Sequence, residues 1–202
     1  MGQQHQEALL DLSEDIIKSL NMFLIKQKTI LENNFYLEWY IRVMKDMLVK
    51  LYDLPKKCKE LEDLSKSISF RRPLAAEKSI VNKWVKKEFG DGWESEVDVS
   101  FSRKPITTYI AIENDQILGF ATYDSAYLNF LGPMGVKKNS RKKGLGKALL
   151  FLALNSMKEM GYAYAIIGGV GPAKFYEKTF NAKIIEGSDP GIYKGILSDV
   201  PV

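Results

Sequence analysis

The sequence predicts an α/β (α+β) protein with a mixed, mostly antiparallel sheet, helices on both faces of that sheet, and a helical extension at the N-terminus. Three observations predict this class. From residue 68 onward the apolar segments form a strand, a helix, a run of strands, a second helix, a strand, a third helix and the final strands. That order is typical of a mixed sheet covered by helices. A glycine-containing basic turn joins one strand to a helix, and apolar residues recur at helical spacing before residue 32.

The first 46 residues are predicted as the helical extension. Between Gln6 and Leu31 apolar residues recur three or four positions apart, as on one face of an amphipathic helix. The aromatic-rich segment 35–44 favours a second helix. Two interpretations stay open: translation starts at Met47 and the extension is not part of the native product, or it is a helical arm for dimerisation or docking. A homodimer is therefore one of the expected assemblies.

Residues 47–66 are the predicted lead-in and linker, and residues 67–202 the main domain. Met47–Tyr52 either continues the preceding helix or forms a short strand, and Pro55 ends it. The charged segment 56–66 is a linker that can be helical. In the main domain, alternating or short apolar runs predict strands and three- or four-residue spacing predicts helices. The predicted strands are 68–72, 97–101, 109–112, 117–123, 129–136, 162–167, 183–185 and 192–196; the predicted helices are 75–89, 148–160 and 172–180; residues 90–92 are a predicted loop and 113–116 a hairpin turn.

The composition is typical of a folded protein with a sizeable core. Of the 202 residues, 46% are hydrophobic and 27% charged, which is ordinary for a globular chain. Apolar runs are far shorter than the roughly 20 residues of a membrane helix, and acidic residues at positions 7, 11, 14 and 15 are unlike a secretory signal. The single cysteine, Cys58, fits a reducing compartment. We therefore expect a cytoplasmic protein with no membrane partner.

The scarcity of histidine and cysteine limits the chemistry. The chain has one histidine, His5, and one cysteine, so histidine-based triads and zinc sites built from these residues are excluded. No metal is expected. Any general acid or base must be Asp, Glu, Tyr, Lys, Cys58, a chain terminus or water.

The most informative segment is the basic turn 141–147, Arg-Lys-Lys-Gly-Leu-Gly-Lys, between a predicted strand and a predicted helix. Glycines let the backbone turn sharply and approach a ligand closely. The first N–H groups of a helix have no intrahelical partner, and together with the helix dipole they bind anions. Six of the 29 basic residues fall between Lys137 and Lys147. The pattern therefore predicts a ligand that carries phosphate.

Other phosphate loops fit less well. A Walker A loop needs Ser or Thr after the lysine, where Ala148 stands, and a dinucleotide loop needs a third glycine where Leu149 stands. Nucleic acid is disfavoured because the basic cluster is short and contains no aromatic residue. A glycine turn on a basic surface, without a ligand, is the remaining alternative.

The turn resembles the Arg-x-x-Gly-x-Gly loop of the GNAT (GCN5-related) N-acetyltransferases. Val136 stands five residues before Arg141, as in that family, and Gly144 and Gly146 fall at the loop glycines. The segment 173–178, Ala-Lys-Phe-Tyr-Glu-Lys, resembles the family helix that carries a tyrosine near the acyl sulfur. The resemblance covers residues 67–197, and segments 168–172 and 187–193 are similar to a bacterial branch of unassigned substrate.

The resemblance implies acetyl transfer from acetyl-CoA, as co-substrate, to a primary amine of a small molecule or peptide by direct attack. Backbone N–H groups of the loop would bind the pyrophosphate, the cofactor strand would pair with the pantetheine arm, and the N–H of Val136 would polarise the thioester carbonyl. Tyr176 would donate a proton to the leaving thiolate. The implied cofactor-binding residues are Met134, Gly135, Val136, Arg141, Lys142, Lys143, Gly144, Leu145, Gly146, Lys147 and Gly169.

Two positions depart from the family pattern. Gly169 stands where many relatives have an asparagine that contacts the cofactor, and strand 129–136 contains no acidic residue that could act as base. A catalytically degenerate acyl-CoA sensor is therefore the alternative function. Water, an acceptor amine that is already neutral, or a carboxylate outside the strand would take the proton. The carboxylate candidates are Glu94, Glu96, Asp98 and Asp124, and the candidates for an acceptor pocket wall are Trp93 and Tyr123.

Overall fold

The computed structural model describes residues 45–141 and 143–197. The two helices predicted in the N-terminal extension lie outside these residues, and so does Lys142. The described strands are β1 (Met47–Lys50), β2 (Ser69–Arg71), β3 (Thr108–Glu113), β4 (Gln116–Tyr123), β5 (Phe130–Val136), β6 (Tyr164–Ile167) and β7 (Lys183–Ile184). The described α-helices are α1 (Lys59–Leu64), α2 (Lys78–Phe89), α3 (Asp91–Ser100), α4 (Leu145–Glu159) and α5 (Ala173–Phe180).

The described strands form one sheet in the order β2-β3-β4-β5-β6-β1-β7. Every neighbouring pair is antiparallel except β5 and β6, which are parallel. The hairpin between β3 and β4 turns through Asn114 and Asp115, at φ 48° and 58°, the left-handed pair that a tight hairpin requires. The predicted mixed, mostly antiparallel sheet is confirmed.

Helices cover both faces of the sheet. Successive side chains of a strand point to opposite faces, so Ala111 faces a core with Leu149 and Leu154 of α4, while its neighbour Ile110 faces a core with Val85 and Val97 of α2 and α3. All six side chains are almost completely buried. Full burial of an aliphatic side chain stabilises the fold by about 1.5–3 kcal/mol, so both layers hold the sheet between them.

Strand β1 occupies an interior position, between β6 and β7. The open interpretation of Met47–Tyr52 is thereby resolved as a strand followed by a 3-10 turn, Leu51–Asp53. Asp46 fixes the entry to the strand: its N–H donates to Ser188 Oγ at 2.9 Å, and its carbonyl accepts from the N–H of Ile185 at 2.9 Å. The segment before the main domain thus contributes an inner strand of the sheet.

Two strand predictions are wrong. Residues 97–100 belong to helix α3, which begins directly after Gly90 and ends before its C-cap Phe101, so the predicted loop at 90–92 is also wrong. Val97 and Val99 would share one face of a strand, but in the helix they point to different sides, and Val97 is buried while Val99 is 41% exposed. Residues 192–196 do not form a strand; Gly191–Tyr193 is a 3-10 turn. Positive φ angles at Gly191 and Gly195, 74° and 76°, interrupt the extended backbone there.

Candidate active site

The parallel strands β5 and β6 pair along only two residues and then separate. Phe130 pairs with Ile166 and Leu131 with Ile167, where β6 ends, whereas β5 continues to Val136. Within the described chain, residues 132–136 therefore have a strand neighbour on the β4 side only. The sheet has a gap beside the second half of β5.

Backbone groups of β5 point into this gap. The N–H of Lys137 donates to the carbonyl of Leu118 at 2.8 Å, and the ladder continues with Gly135 opposite Phe120. Hydrogen-bonded pairs alternate along an antiparallel ladder, so the backbone groups of Met134 and Val136 face away from β4. These are two of the residues predicted to pair with a pantetheine arm, and a flat, extended ligand with amide groups could add to this edge as a strand does.

The glycine turn lies at the open end of the gap. Gly144 takes φ 83° at the N-cap of α4, a left-handed conformation that glycine adopts without cost. A Cβ built at Gly146 would lie 3.5 Å from Cζ of Phe175 in α5 and 3.7 Å from Cγ2 of Val136. The first turn of α4 therefore adjoins both the end of β5 and α5, and its first N–H groups have no intrahelical acceptor.

The basic side chains of the turn have different partners. Arg141 Nε donates to the carbonyl of Val136 at 3.1 Å, and Lys143 is exposed. Lys147 Nζ forms an ion pair with Glu60 Oε1 of α1 at 2.8 Å. The hydrogen bond from Lys147 lowers the pKa of the Glu60 carboxyl. Glu60 thus holds a basic side chain next to the predicted phosphate site, a contact that the sequence pattern does not reveal.

Tyr176 is buried, with 7% of its surface exposed, in the core between the sheet and α4. Its ring lies edge-on to Phe175, with centroids 5.1 Å apart. Phe175 in turn contacts the position of a Cβ at Gly146. The predicted acid and the predicted phosphate loop are therefore brought together by neighbouring residues of α5.

Gly169 is held by the segment that leads into β1. Its N–H donates to Asp46 Oδ1 at 2.9 Å, and the next N–H, of Val170, donates to the carbonyl of Lys45 at 2.9 Å. The backbone of this glycine-rich segment thus binds the chain itself, and sequence reasoning missed Asp46 as its partner.

Two aromatic side chains, Phe89 and Trp93, pack beside β5. A Cβ built at Gly135 would lie 2.5 Å from Cζ of Phe89, so only glycine lets this ring approach the strand. Phe89 stacks on Trp93 with centroids 5.1 Å apart and an interplanar angle of 20°. Trp93 is 37% exposed, and it therefore offers an aromatic surface beside β5.

Tyr123, the other candidate for a pocket wall, is a core residue. It is completely buried, and its hydroxyl accepts a hydrogen bond from Arg72 Nη2 at 2.8 Å. The guanidinium carbon of Arg72 also lies 4.4 Å from the ring centroid of Tyr109. Burial raises the pKa of Tyr123. Tyr123 thus provides a hydrogen-bond acceptor for the partly buried guanidinium of Arg72.

Two of the candidate bases are engaged in structural contacts. Asp98 pairs with Lys78 at 2.9 Å and accepts from Asn82 at 2.6 Å, and the hydrogen bond from Lys78 lowers its pKa. Asp124 closes the turn before β5 by accepting from the N–H of Asn129 at 2.7 Å. Neither carboxylate is poised to take a proton from a substrate.

Glu96 has a different environment. Its Oε1 accepts a hydrogen bond from the Tyr193 hydroxyl at 2.9 Å, and its Oε2 is buried with no hydrogen-bond partner among the described residues. Burial raises the pKa of the Glu96 carboxyl, and the bond from Tyr193 offsets this in part. Glu96 thus differs from Asp98 and Asp124, whose carboxylates are engaged in structural contacts.

Comparisons with known proteins agree with this geometry. A family model described as "Acetyltransferase (GNAT) family" matches residues 74–181, more than half of the sequence. The chain belongs to the GNAT acetyltransferase family. No curated protein matches it. None of the helices in the described residues is long and apolar enough to cross a membrane.

Solved structures share the fold at low identity. A glucosamine N-acetyltransferase region of a fungal multi-domain β-N-acetylglucosaminidase has a TM-score of 0.59 at 16% identity, over 70% of this chain and 20% of that one. A GNAT acetyltransferase from Colwellia psychrerythraea has a TM-score of 0.52 at 12% identity, over 70% and 53%. The chain thus matches only a fifth to about half of the length of these proteins.

Proposed function

We propose that the protein transfers an acetyl group from acetyl-CoA to a primary amine of a small molecule or peptide. One observation carries the proposal: the gap beside β5 opens toward the first turn of α4, so one extended ligand with a phosphate end can occupy both. Family membership makes acetyl-CoA the ligand of choice. A cytoplasmic location is part of the proposal, supported by the single, buried thiol of Cys58.

The co-substrate would lie along β5. Its pyrophosphate would accept hydrogen bonds from the N–H groups at the start of α4, where the helix dipole favours negative charge. Its pantetheine amides would pair with the backbone of Met134 and Val136. The side chains of Arg141, Lys143 and Lys147 would add positive charge around the phosphates, with Lys147 exchanging Glu60 for a phosphate oxygen.

The reaction would be a direct attack of the neutral amine on the thioester. Holding both reactants in the gap replaces a bimolecular encounter by an intramolecular one. The predicted oxyanion donor, the N–H of Val136, lies beside the first turn of α4. The N–H of Met134, which also points into the gap and lies further from that turn, would instead stabilise the oxyanion that forms at the acetyl carbonyl. Tyr176 would protonate the thiolate that leaves, because a phenol with an ordinary pKa of about 10 is a suitable acid for a thiol of about 8.5.

The test is turnover by the purified chain. Acetyl-CoA is incubated with a panel of primary amines, including lysine, spermidine and glucosamine, the amine that names the fungal relative. Release of CoA thiol, together with the acetylated amine in the mass spectrum, is the expected result. Thiol release without an acetylated product would mean thioester hydrolysis, and neither product from any amine would contradict the proposal.

A second function is favoured by particular contacts. Lys147 is paired with Glu60, Gly169 is bonded to Asp46, and β5 carries no acid. A chain that binds acetyl-CoA but turns over no amine would fit an acyl-CoA sensor. Binding without thiol release across the whole panel would support this alternative over the enzyme.

A further inference from the structure

We infer that Glu96 of α3 takes the proton of the acceptor amine, and that Tyr193 positions the Glu96 carboxylate for this step. The inference rests on the proposed function and names a base that β5 itself does not supply. It assigns the amine site to the α3 side of the gap.

The two oxygens of Glu96 have unequal surroundings. Oε1 accepts from the Tyr193 hydroxyl at 2.9 Å, which fixes the carboxylate in one orientation. Oε2 is buried without a donor from the described residues. A buried acceptor without a donor destabilises a fold, so its retention needs an explanation. An ammonium group, with three N–H donors, is a ligand that would satisfy this oxygen and neutralise its charge.

The Glu96–Tyr193 pair lies at the inner end of the gap. Tyr193 follows Ile192, whose Cδ1 lies 3.2 Å from the position of a Cβ at Gly168. Gly168 is the first residue after β6, and Phe130, the first residue of β5, contacts the same position at 3.1 Å. The pair is therefore next to the point where β5 and β6 separate, which is where the acyl end of an extended ligand entering from α4 would stop.

Trp93 extends the amine site along α3. It stands three residues before Glu96, so the two side chains lie on neighbouring turns of the same helix face. Its ring is 37% exposed and is held by Phe89 against the cofactor strand. An indole face attracts a cation within about 6 Å. A carboxylate and an aromatic ring on one helix face form a receptor for an ammonium group with an apolar neighbour.

The charges around Glu96 suit a base. In the described structure, Glu96 has no basic partner of the kind that Lys78 provides for Asp98. Burial and the charge of Glu96 both raise the pKa of Tyr193, with a smaller contribution from Asp46. The phenol therefore remains a donor at neutral pH. A carboxylate whose pKa is raised by burial is a better proton acceptor than an exposed one.

The proton balance of the step is complete. The ammonium gives one proton to Oε2 of Glu96, and the nitrogen lone pair then forms the C–N bond with the acetyl carbon. The C–S bond breaks, and its electron pair leaves with the sulfur, which takes a proton from the acid proposed above. The nitrogen loses its second proton as the amide forms. In total, one proton passes to the thiol and one to solvent.

The experiment compares Glu96→Gln with the wild type on the primary amine that the wild type acetylates best and on hydroxylamine, which is already neutral near pH 7. Glutamine keeps an oxygen for Tyr193 but cannot take the proton. We expect turnover of the ordinary amine to fall by about 10²-fold or more, a much smaller loss with hydroxylamine, and unchanged acetyl-CoA binding. Asp91→Asn, which removes an exposed carboxylate of the same helix that pairs with Lys86, is the matched control and should retain turnover.

A pH profile separates catalysis from packing. The wild-type kcat/KM should fall as the pH drops through the pKa of Glu96, and Glu96→Gln should lose this acidic limb. Tyr193→Phe removes a bond that lowers this pKa, so the limb should move to higher pH while acetyl-CoA binding stays the same. A purely structural role would change thermal stability and leave the position of the limb unaltered.

Each outcome decides the inference. If the wild type turns over an amine and Glu96→Gln is equally active, or if both amines lose activity to the same extent, the inference is wrong and the proposed function stands. If the wild type turns over no amine at all, the proposed function fails and the inference with it. Should Glu96→Gln not fold, Glu96→Asp, which withdraws the carboxylate by one methylene, must show the same selective loss.

Discussion

Gly146 is the position where one substitution should separate co-substrate binding from folding. A Cβ there would meet Phe175 at 3.5 Å and Val136 at 3.7 Å, which are ordinary contacts, so a side chain can begin at this position without displacing its neighbours. Gly146 is also in the first turn of α4, two residues after the N-cap Gly144. Gly146→Glu therefore brings a carboxylate to the predicted pyrophosphate site.

Gly146→Glu should weaken acetyl-CoA binding but stabilise the helix. Two like charges about 4 Å apart repel by about 1 kcal/mol in water and about 4 kcal/mol at the effective dielectric of a protein surface. At about 1.4 kcal/mol per tenfold, acetyl-CoA should bind about 5-fold to about 10³-fold more weakly. The helix becomes more stable. Replacing glycine within a helix stabilises it by up to about 1 kcal/mol, and an acidic residue in the first turn stabilises it by about 0.3–1 kcal/mol.

Calorimetric titration with acetyl-CoA, together with thermal denaturation, measures both effects. Gly146→Gln is the matched control, since it has nearly the same volume without the charge, and Gly146→Ala tests the space near Phe175. We expect the affinity for acetyl-CoA to decrease from Gly146→Ala to Gly146→Gln to Gly146→Glu. The melting temperature of Gly146→Glu should be no lower than that of the wild type. Equal affinity for the Glu and Gln variants would refute the electrostatic argument, and a lower melting temperature would refute the stability argument.

Three further predictions follow from single contacts. Tyr176→Phe should lower turnover by about 10²-fold with acetyl-CoA affinity retained; unchanged turnover would exclude the acid role. Glu60→Gln should release Lys147 and tighten acetyl-CoA binding by up to about 5-fold, since exposed ion pairs contribute about 0.2–1 kcal/mol, whereas weaker binding would show that the pair shapes the loop. Glu77 has its pKa lowered to about 2, chiefly by the hydrogen bond from Arg71. Because the folded-state pKa is the lower one, the pair stabilises the fold by about 1 kcal/mol or less above about pH 4.5, and the stability difference between wild type and Glu77→Gln should vanish as the pH falls toward 2; a constant difference in urea denaturation would contradict this.

The predicted phosphate loop follows from local sequence, whereas the rest of the site depends on distant contacts. The strand, turn and helix around Gly144 are contiguous, so their order and their glycines reveal them directly. The ion pair between Glu60 and Lys147 joins residues 87 positions apart, and the bond between Glu96 and Tyr193 joins residues 97 apart. The spacing of apolar residues along the sequence does not reveal such pairs. For this reason the sequence alone does not distinguish Glu96 from the other three candidate carboxylates.

The sheet shows the same distinction. The hairpin of β3 and β4 is predicted by its turn residues, because its partners are adjacent in the chain. The place of β1 between β6 and β7 is set by pairing with residues more than a hundred positions away, such as Met47 with Ile167. The strand predicted at 97–101 is wrong because the alternating polarity of these residues has the period of a strand, whereas in the structure Val97 and Phe101, four positions apart, pack in the same core and Val99 is exposed.

The central claim is that the gap beside β5 and the first turn of α4 form one site for acetyl-CoA. Calorimetric titration of the wild-type protein with acetyl-CoA, with CoA and ADP as controls, tests it most directly. Binding with a dissociation constant on the order of micromolar, weaker for ADP because it lacks the pantetheine arm, is the result that this account predicts. No binding at millimolar acetyl-CoA to a folded sample would contradict it and leave the glycine turn as a basic surface loop.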